Sequence, residues 1–254
     1  MDLMDALHVN LHVKDNDLKT ALPILLTLVF FVVYWFTAQS EKIKSSFFAK
    51  HDADTASSKH IFFTKWFGFV AMGIVPLLIS LYFLERTDLA YFGLTFIPET
   101  ATFSIIWTLG LCALVVPIAS FSARKPKNLI NYPQVRTKEW TKKVLFINAL
   151  GWAMYLFGYE LLFRGTLLFP LVDTLGVWPA IAINVALYSA THIPKGLDET
   201  IGAAPLGLVL CLLTLYSGTI WIAFLVHVAM AWTNEFTALK YHPDIHYVGG
   251  QKKK

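Results

Sequence analysis

Tyr159-Glu160-Leu161-Leu162-Phe163-Arg164-Gly165 decides how the rest of the chain is read. A carboxylate and a guanidinium sit here in a run that is otherwise apolar from Val144 to Val172. A charge at the centre of a membrane helix costs roughly 2.5–3.5 kcal/mol by insertion scales, so both groups must face protein or water. Four residues apart on a helix, they share one face, and an internal ion pair is the simplest way to bring both into the bilayer. Two further ionisable groups, His192 and His227, stand in later apolar runs.

The composition makes the membrane reading general. Of 254 residues, 56% are hydrophobic and 15% are charged, whereas a water-soluble domain carries about 25% charge. An integral membrane protein of one domain, residues 1–254, is expected. The net charge of +4 follows from the excess Lys and Arg of cytoplasmic loops and gives no sign of a nucleic-acid partner. Cys112 and Cys211 fall inside apolar runs and read as small core residues rather than a disulfide. The first 20 residues lack the basic start and short apolar core of a cleaved signal, because Asp2, Asp5, Asp15 and Asp17 outweigh Lys14 and Lys19.

A crossing of about 30 Å needs about 20 apolar residues. Seven candidate spans are expected, at about 21–38, 62–84, 101–123, 144–172, 178–194, 201–217 and 219–237. The fourth is too long for one straight helix. It is expected to tilt or break near Glu160 and Arg164, which would give eight helices, with Pro170 marking its end. The fold class is therefore an all-α polytopic bundle. Lys42, Lys44, Lys50 and Lys59, then Arg124, Lys125, Lys127, Arg136, Lys138, Lys142 and Lys143, load alternate loops with positive charge. Those loops are assigned to the cytoplasm, with the N-terminus outside and the basic tail 240–254 inside.

In the 124–143 loop, Trp140 among lysines suggests either a short helix on the inner surface or a solvated basic linker. Leu7, Val9, Leu11 and Val13 alternate with polar residues, which suggests an edge strand or an interfacial stretch. His8 and His12, like His242 and His246, read as ordinary exposed histidines rather than metal pairs.

His192 closes the fifth run, one helical turn after Tyr188 and beside Ser189 and Thr191, and His227 lies inside the seventh. Each alone would read as a satisfied core group. Together with Glu160 they are candidates to hold a water molecule, with a carboxylate and an imidazole as base and the second imidazole as donor to an oxyanion. A divalent metal on His192 and His227 is the other possibility. No cofactor is expected, since two neutral ligands and a paired carboxylate are all that is on offer.

The stretch from Gly158 to Glu235 resembles the CPBP family of intramembrane endopeptidases, which includes the type II CAAX prenyl protease and bacteriocin-processing relatives. Its Glu-Glu-x-x-x-Arg motif falls on Tyr159-Glu160 through Arg164, followed by Phe163, Gly165 and Leu168. Its aromatic-x-x-x-His motif falls on Tyr188 to His192, and its His-x-x-x-Asn motif on His227 to Ala231. Gly202 to Gly207 and Ser217-Gly218-Thr219-Ile220 are also similar to the family. The resemblance implies a protease-like core over 144–239, preceded by family-variable spans and a basic loop over 1–143. It also implies catalytic roles for Glu160, His192 and His227.

Two positions depart from the pattern. Tyr159 replaces the glutamate that the family pairs with the second-motif histidine, and a phenol with a pKa near 10 is a poor general base. One helical residue is a rotation of about 100°, so Glu160 should point elsewhere unless the helix distorts. Ala231 replaces the asparagine that helps bind the oxyanion. Asn234 is two turns from His227, about 10 Å along the axis.

Three readings stay open: a working endopeptidase on membrane-presented peptides, a catalytically silent relative acting as scaffold or partner subunit, and a transporter-like or structural protein. The third lacks paired broken helices in two halves. The expected partners are the lipid bilayer and a membrane-embedded or membrane-presented peptide or protein. The expected location is the cytoplasmic membrane if the source is bacterial.

Overall fold

A computed structural model describes residues 14–85 and 88–249. The alternating N-terminal stretch with His8 and His12 lies outside the described residues. The chain is an all-α bundle. Helix α1 covers Asp15–Ala38 and the short α2 covers Glu41–Phe48. Helix α3 runs over Ala53–Phe83, α4 over Pro98–Ala123, and the single turn α5 over Pro126–Leu129. Helix α6 runs over Lys142–Leu175, α7 over Val177–Ala190, α8 over Leu197–Ser217 and α9 over Trp221–Tyr241.

Six of these helices are long and apolar enough to cross a membrane, and the protein is an integral membrane protein. The expected fifth span is the exception. Helix α7 has 14 residues, about 21 Å of rise against a hydrocarbon core of about 30 Å. It stops at Ala190, so His192 lies in the turn beyond it rather than inside a span. Large apolar side chains such as Ile105, Leu109, Ile118 and Phe121 of α4 are exposed, as a lipid-facing surface requires.

The long fourth run is one helical path, but not a uniform one. Residues Leu161–Leu168 are wound as a π-helix between two α-helical parts. The distortion falls where it was expected, directly after Glu160. The end was not at Pro170. At the start of the final α-helical part, proline's missing N–H is tolerated. The stop is Gly176, whose φ of +82° belongs to glycine.

Helix α3 carries a π-helical segment of its own, Phe69–Ile74. The two distorted helices cross backbone to backbone, and a Cβ built on Gly73 would lie 2.9 Å from the Gly158 Cα. This close crossing, of the small-residue kind that packs membrane helices, sets the position of Tyr159 and Glu160 in the bundle.

The linker before α6 is neither a surface helix nor a solvated tether. Trp140 is fully buried with Val135, Leu239 and Ile245. Strand β1 (Glu139–Thr141) pairs in parallel with β2 (His246–Gly249), so the first part of the tail is held against the bundle. Thr137 donates to the Asp54 carbonyl at 2.9 Å. The start of α3, the linker and the tail therefore meet at one end, which is the end carrying most of the basic loop residues. At the opposite end, Tyr91 donates to Asp173 at 2.8 Å and Trp221 to the Thr95 carbonyl at 2.7 Å.

His242 faces Arg136 Nη1 across 3.2 Å, with Asp244 and His246 also near it. Partial burial and the Arg136 charge push its imidazole below the ordinary histidine value of 6.5. The folded chain thus prefers His242 neutral, and its contribution to stability is present above that value and lost as pH falls below it. The protection of the amides of residues 242–249 against hydrogen exchange, taken relative to the intrinsic rate at each pH, is expected to fall between neutral and mildly acidic pH, and His242→Gln is expected to flatten that dependence.

Candidate functional site

The polar groups of the organising stretch meet side chains from three other helices. Glu160 and Arg164 are both fully buried, and Arg164 Nε donates to Glu160 Oε2 at 3.2 Å. The other carboxylate oxygen, Oε1, receives His227 Nδ1 of α9. His227 is buried, and its Nε2 lies 2.9 Å from the Tyr188 hydroxyl of α7. Because a carboxylate accepts, Nδ1 carries the proton. In the neutral ring Nε2 is then the acceptor and the phenol donates to it. Tyr188, His227 and Glu160 thus form a hydroxyl–imidazole–carboxylate relay. It has the order of a catalytic triad with a phenol in the hydroxyl place.

Arg164 has more partners. Its Nη1 donates to the Asn184 side-chain carbonyl and lies 3.1 Å from Cys211 Sγ. Its guanidinium carbon stands 4.8 Å from the centre of the Tyr188 ring, a cation–π arrangement. Asn184 in turn donates through Nδ2 to the Phe163 carbonyl at 2.6 Å, inside the π-helical segment. Asn184 and Cys211 are both buried; in the sequence Asn184 is not named as a candidate and Cys211 is taken only as a small core residue. The signal for Asn184 was available, as an amide in an otherwise apolar run must find partners. Cys211 offered none beyond its reading as a core residue.

Tyr159 and Glu160 diverge as adjacent helical residues should. The Tyr159 hydroxyl lies 2.7 Å from Thr191 Oγ1. Thr191 Oγ1 gives its own proton to the Tyr188 carbonyl at 2.7 Å, which makes Tyr159 the donor to it. Next along the chain, His192 Nδ1 is 2.9 Å from the same carbonyl. A carbonyl only accepts, so Nδ1 is protonated and the basic lone pair of a neutral His192 is on Nε2. Tyr159, in the family's glutamate position, therefore borders the His192 turn, while both oxygens of Glu160 are committed to His227 and Arg164.

Both imidazoles neighbour one ring. Tyr188 is 4.9 Å from His192 and 6.0 Å from His227 between ring centroids. Ala231 is buried in an apolar cluster with Trp152, Leu156 and Val228. The nearby Thr233 hydroxyl is spent on the Ala229 carbonyl at 2.7 Å. Both ring nitrogens of His227 have protein partners, so a metal shared by the histidines would have to break those bonds. Among the described residues no group of three or more His, Cys, Asp or Glu side chains converges as a metal would need.

A second buried carboxylate lies two turns further along α9. Glu235 accepts from Trp152 Nε1 at 2.8 Å and from the Gln134 backbone N–H at 3.2 Å. The Lys65 ammonium stands 3.1 Å above the Trp152 ring. This cluster ties α9 to α6, α3 and the linker.

Fold and site together define a polytopic membrane protein with Glu160 and His227 buried in the bundle interior and a partly buried His192 in the turn beyond α7. Residues 141–233 match the family model described as type II CAAX prenyl endopeptidase Rce1-like. The resemblance carried by the three motifs holds over that segment. No curated protein and no solved structure matches the chain.

Removing one partner of a buried ion pair leaves an uncompensated charge and costs about 3–5 kcal/mol. Glu160→Gln is expected to lose about that much, measured as thermal unfolding in detergent. Glu160→Gln combined with Arg164→Met is expected to recover most of it.

Proposed function

We propose that this chain is a peptidase-like membrane protein that binds a membrane-presented peptide or partner without hydrolysing it. The observation that carries the reading is the commitment of Glu160. Water activation in the family pattern uses a carboxylate beside the second-motif histidine. Here that position is a phenol donating to Thr191, and the nearest motif carboxylate holds His227 and Arg164 instead. His227 already spends both nitrogens, donating through Nδ1 to Glu160 and accepting through Nε2 from Tyr188, so the neutral ring carries no further proton for an oxyanion. Ala231 donates nothing, and loss of one oxyanion donor alone typically costs 10²–10³ in rate.

The charge pattern supports a cytoplasmic membrane location with the basic loops inside, and the reading invokes no metal or cofactor. A second reading, hydrolysis, is favoured by one observation: the tautomer of His192 leaves Nε2 as a competent base.

Purified protein reconstituted in vesicles with labelled membrane peptides separates the two. The native chain and His192→Ala are both expected to leave the peptides intact while retaining similar binding. Cleavage by the native chain that His192→Ala abolishes, at equal protein level, would overturn the proposal.

A further inference from the structure

Outside the Glu160 network, a crevice of about 300 Å³ lies between α3 and α6 at the basic end of the bundle. Its chemistry is graded along the two helices. Asp54, Thr55, Ser58, Lys59 and Lys143 line the part near the helix starts, with Thr137 of the linker closing it. Phe62, Ile147 and Gly151 line the deeper part. Lys59 and Lys143 are exposed, whereas Lys65, deeper on α3, is buried and seated over Trp152. Three lysines face one aspartate.

Asn148 is the unexplained group. It lines the crevice, it is buried, and neither its Nδ2 nor its Oδ1 has a hydrogen-bond partner. A buried amide left without partners costs about 1–3 kcal/mol, so its retention asks for a ligand that pairs with it. Asn148 lies five residues beyond Lys143, about 7.5 Å deeper along the helix. A cation at the rim, an amide one layer down and apolar walls below match the order of groups in a phospholipid. A phosphate would meet Lys59 and Lys143, a glycerol ester carbonyl would meet Asn148, and an acyl chain would lie along Phe62, Ile147 and Gly151.

We infer that this crevice is a binding site for one anionic phospholipid, in the leaflet that faces the basic loops. The Ser58 hydroxyl, 2.9 Å from that of Thr137, lies at the same level as the two rim lysines and would have to turn from Thr137 to donate to a phosphate. The site is separate from the Glu160–His227 network, and its occupancy does not depend on whether that network hydrolyses peptides.

The test uses the full chain, delipidated in neutral detergent, with phosphatidylglycerol, phosphatidylcholine, glycerol phosphate and inorganic phosphate as separate probes. Binding is read by native mass spectrometry and by the shift in unfolding temperature. One phosphatidylglycerol is expected to stay bound with an affinity at least tenfold above the other three probes. Asn148→Leu, which removes the orphan amide and is expected to fold at least as stably without lipid, should weaken retention about tenfold. Lys59→Gln with Lys143→Gln should do the same, while Lys142→Gln, a lysine of equal charge outside the crevice, should not. Equal binding of phosphatidylcholine, or of either soluble phosphate, would overturn the assignment. So would a loss in Lys142→Gln equal to that in the double variant, or full retention in Asn148→Leu.

Discussion

A guanidinium and a carboxylate placed in hydrocarbon must find partners within the protein, and the core of this bundle supplies them to both Glu160 oxygens and to Nε and Nη1 of Arg164, leaving Nη2 unpaired. Arg164 reaches Glu160, Asn184, Cys211 and the face of Tyr188, and Glu160 reaches His227. Those partners belong to α6, α7, α8 and α9. One pair of charges therefore holds four helices in register, in a solvent where apolar side chains provide little drive for helix association. The π-helical segment after Glu160 belongs to the same constraint, since Asn184 caps a carbonyl within it while accepting from Arg164.

The arrangement that stabilises the bundle also bears on chemistry. A general base needs a free lone pair near the reacting water, and an oxyanion donor needs a free proton. Here the acid and the α9 imidazole are satisfied by one another and by neighbours. In the proposed reading, the residue types that a peptidase would spend on a transition state are spent on the ground-state fold. Tyr159 completes the change, because its hydroxyl joins the Thr191 and His192 turn instead of presenting a carboxylate to it.

The two ends of the bundle differ in kind. At one, aromatic, hydroxyl and backbone contacts tie short loops together, as in Tyr91 with Asp173 and Trp221 with Thr95. At the other, the linker and tail fold back over α3 and α6, bury Trp140 and enclose a basic crevice. Trp140 illustrates how local composition misleads. A tryptophan among lysines reads as an interfacial anchor, yet pairing of β1 with β2 covers it, and that pairing joins segments about a hundred residues apart.

From the amino-acid order alone came the membrane class, the all-α architecture, most of the spans, the Glu160–Arg164 pair and the motif resemblance over 158–235. Each rests on local signals: apolar run length, a four-residue spacing, and side-chain types at fixed separations. The short reach of α7, the passage of α6 through Pro170 and the partners of each polar atom were decided by tertiary structure. Glu160 found His227, and Tyr159 found Thr191, because the α3–α6 glycine crossing and the π-helical winding set the direction in which each side chain leaves the helix. No periodicity in a sequence encodes that direction, since it depends on where a second backbone comes to within contact of the first.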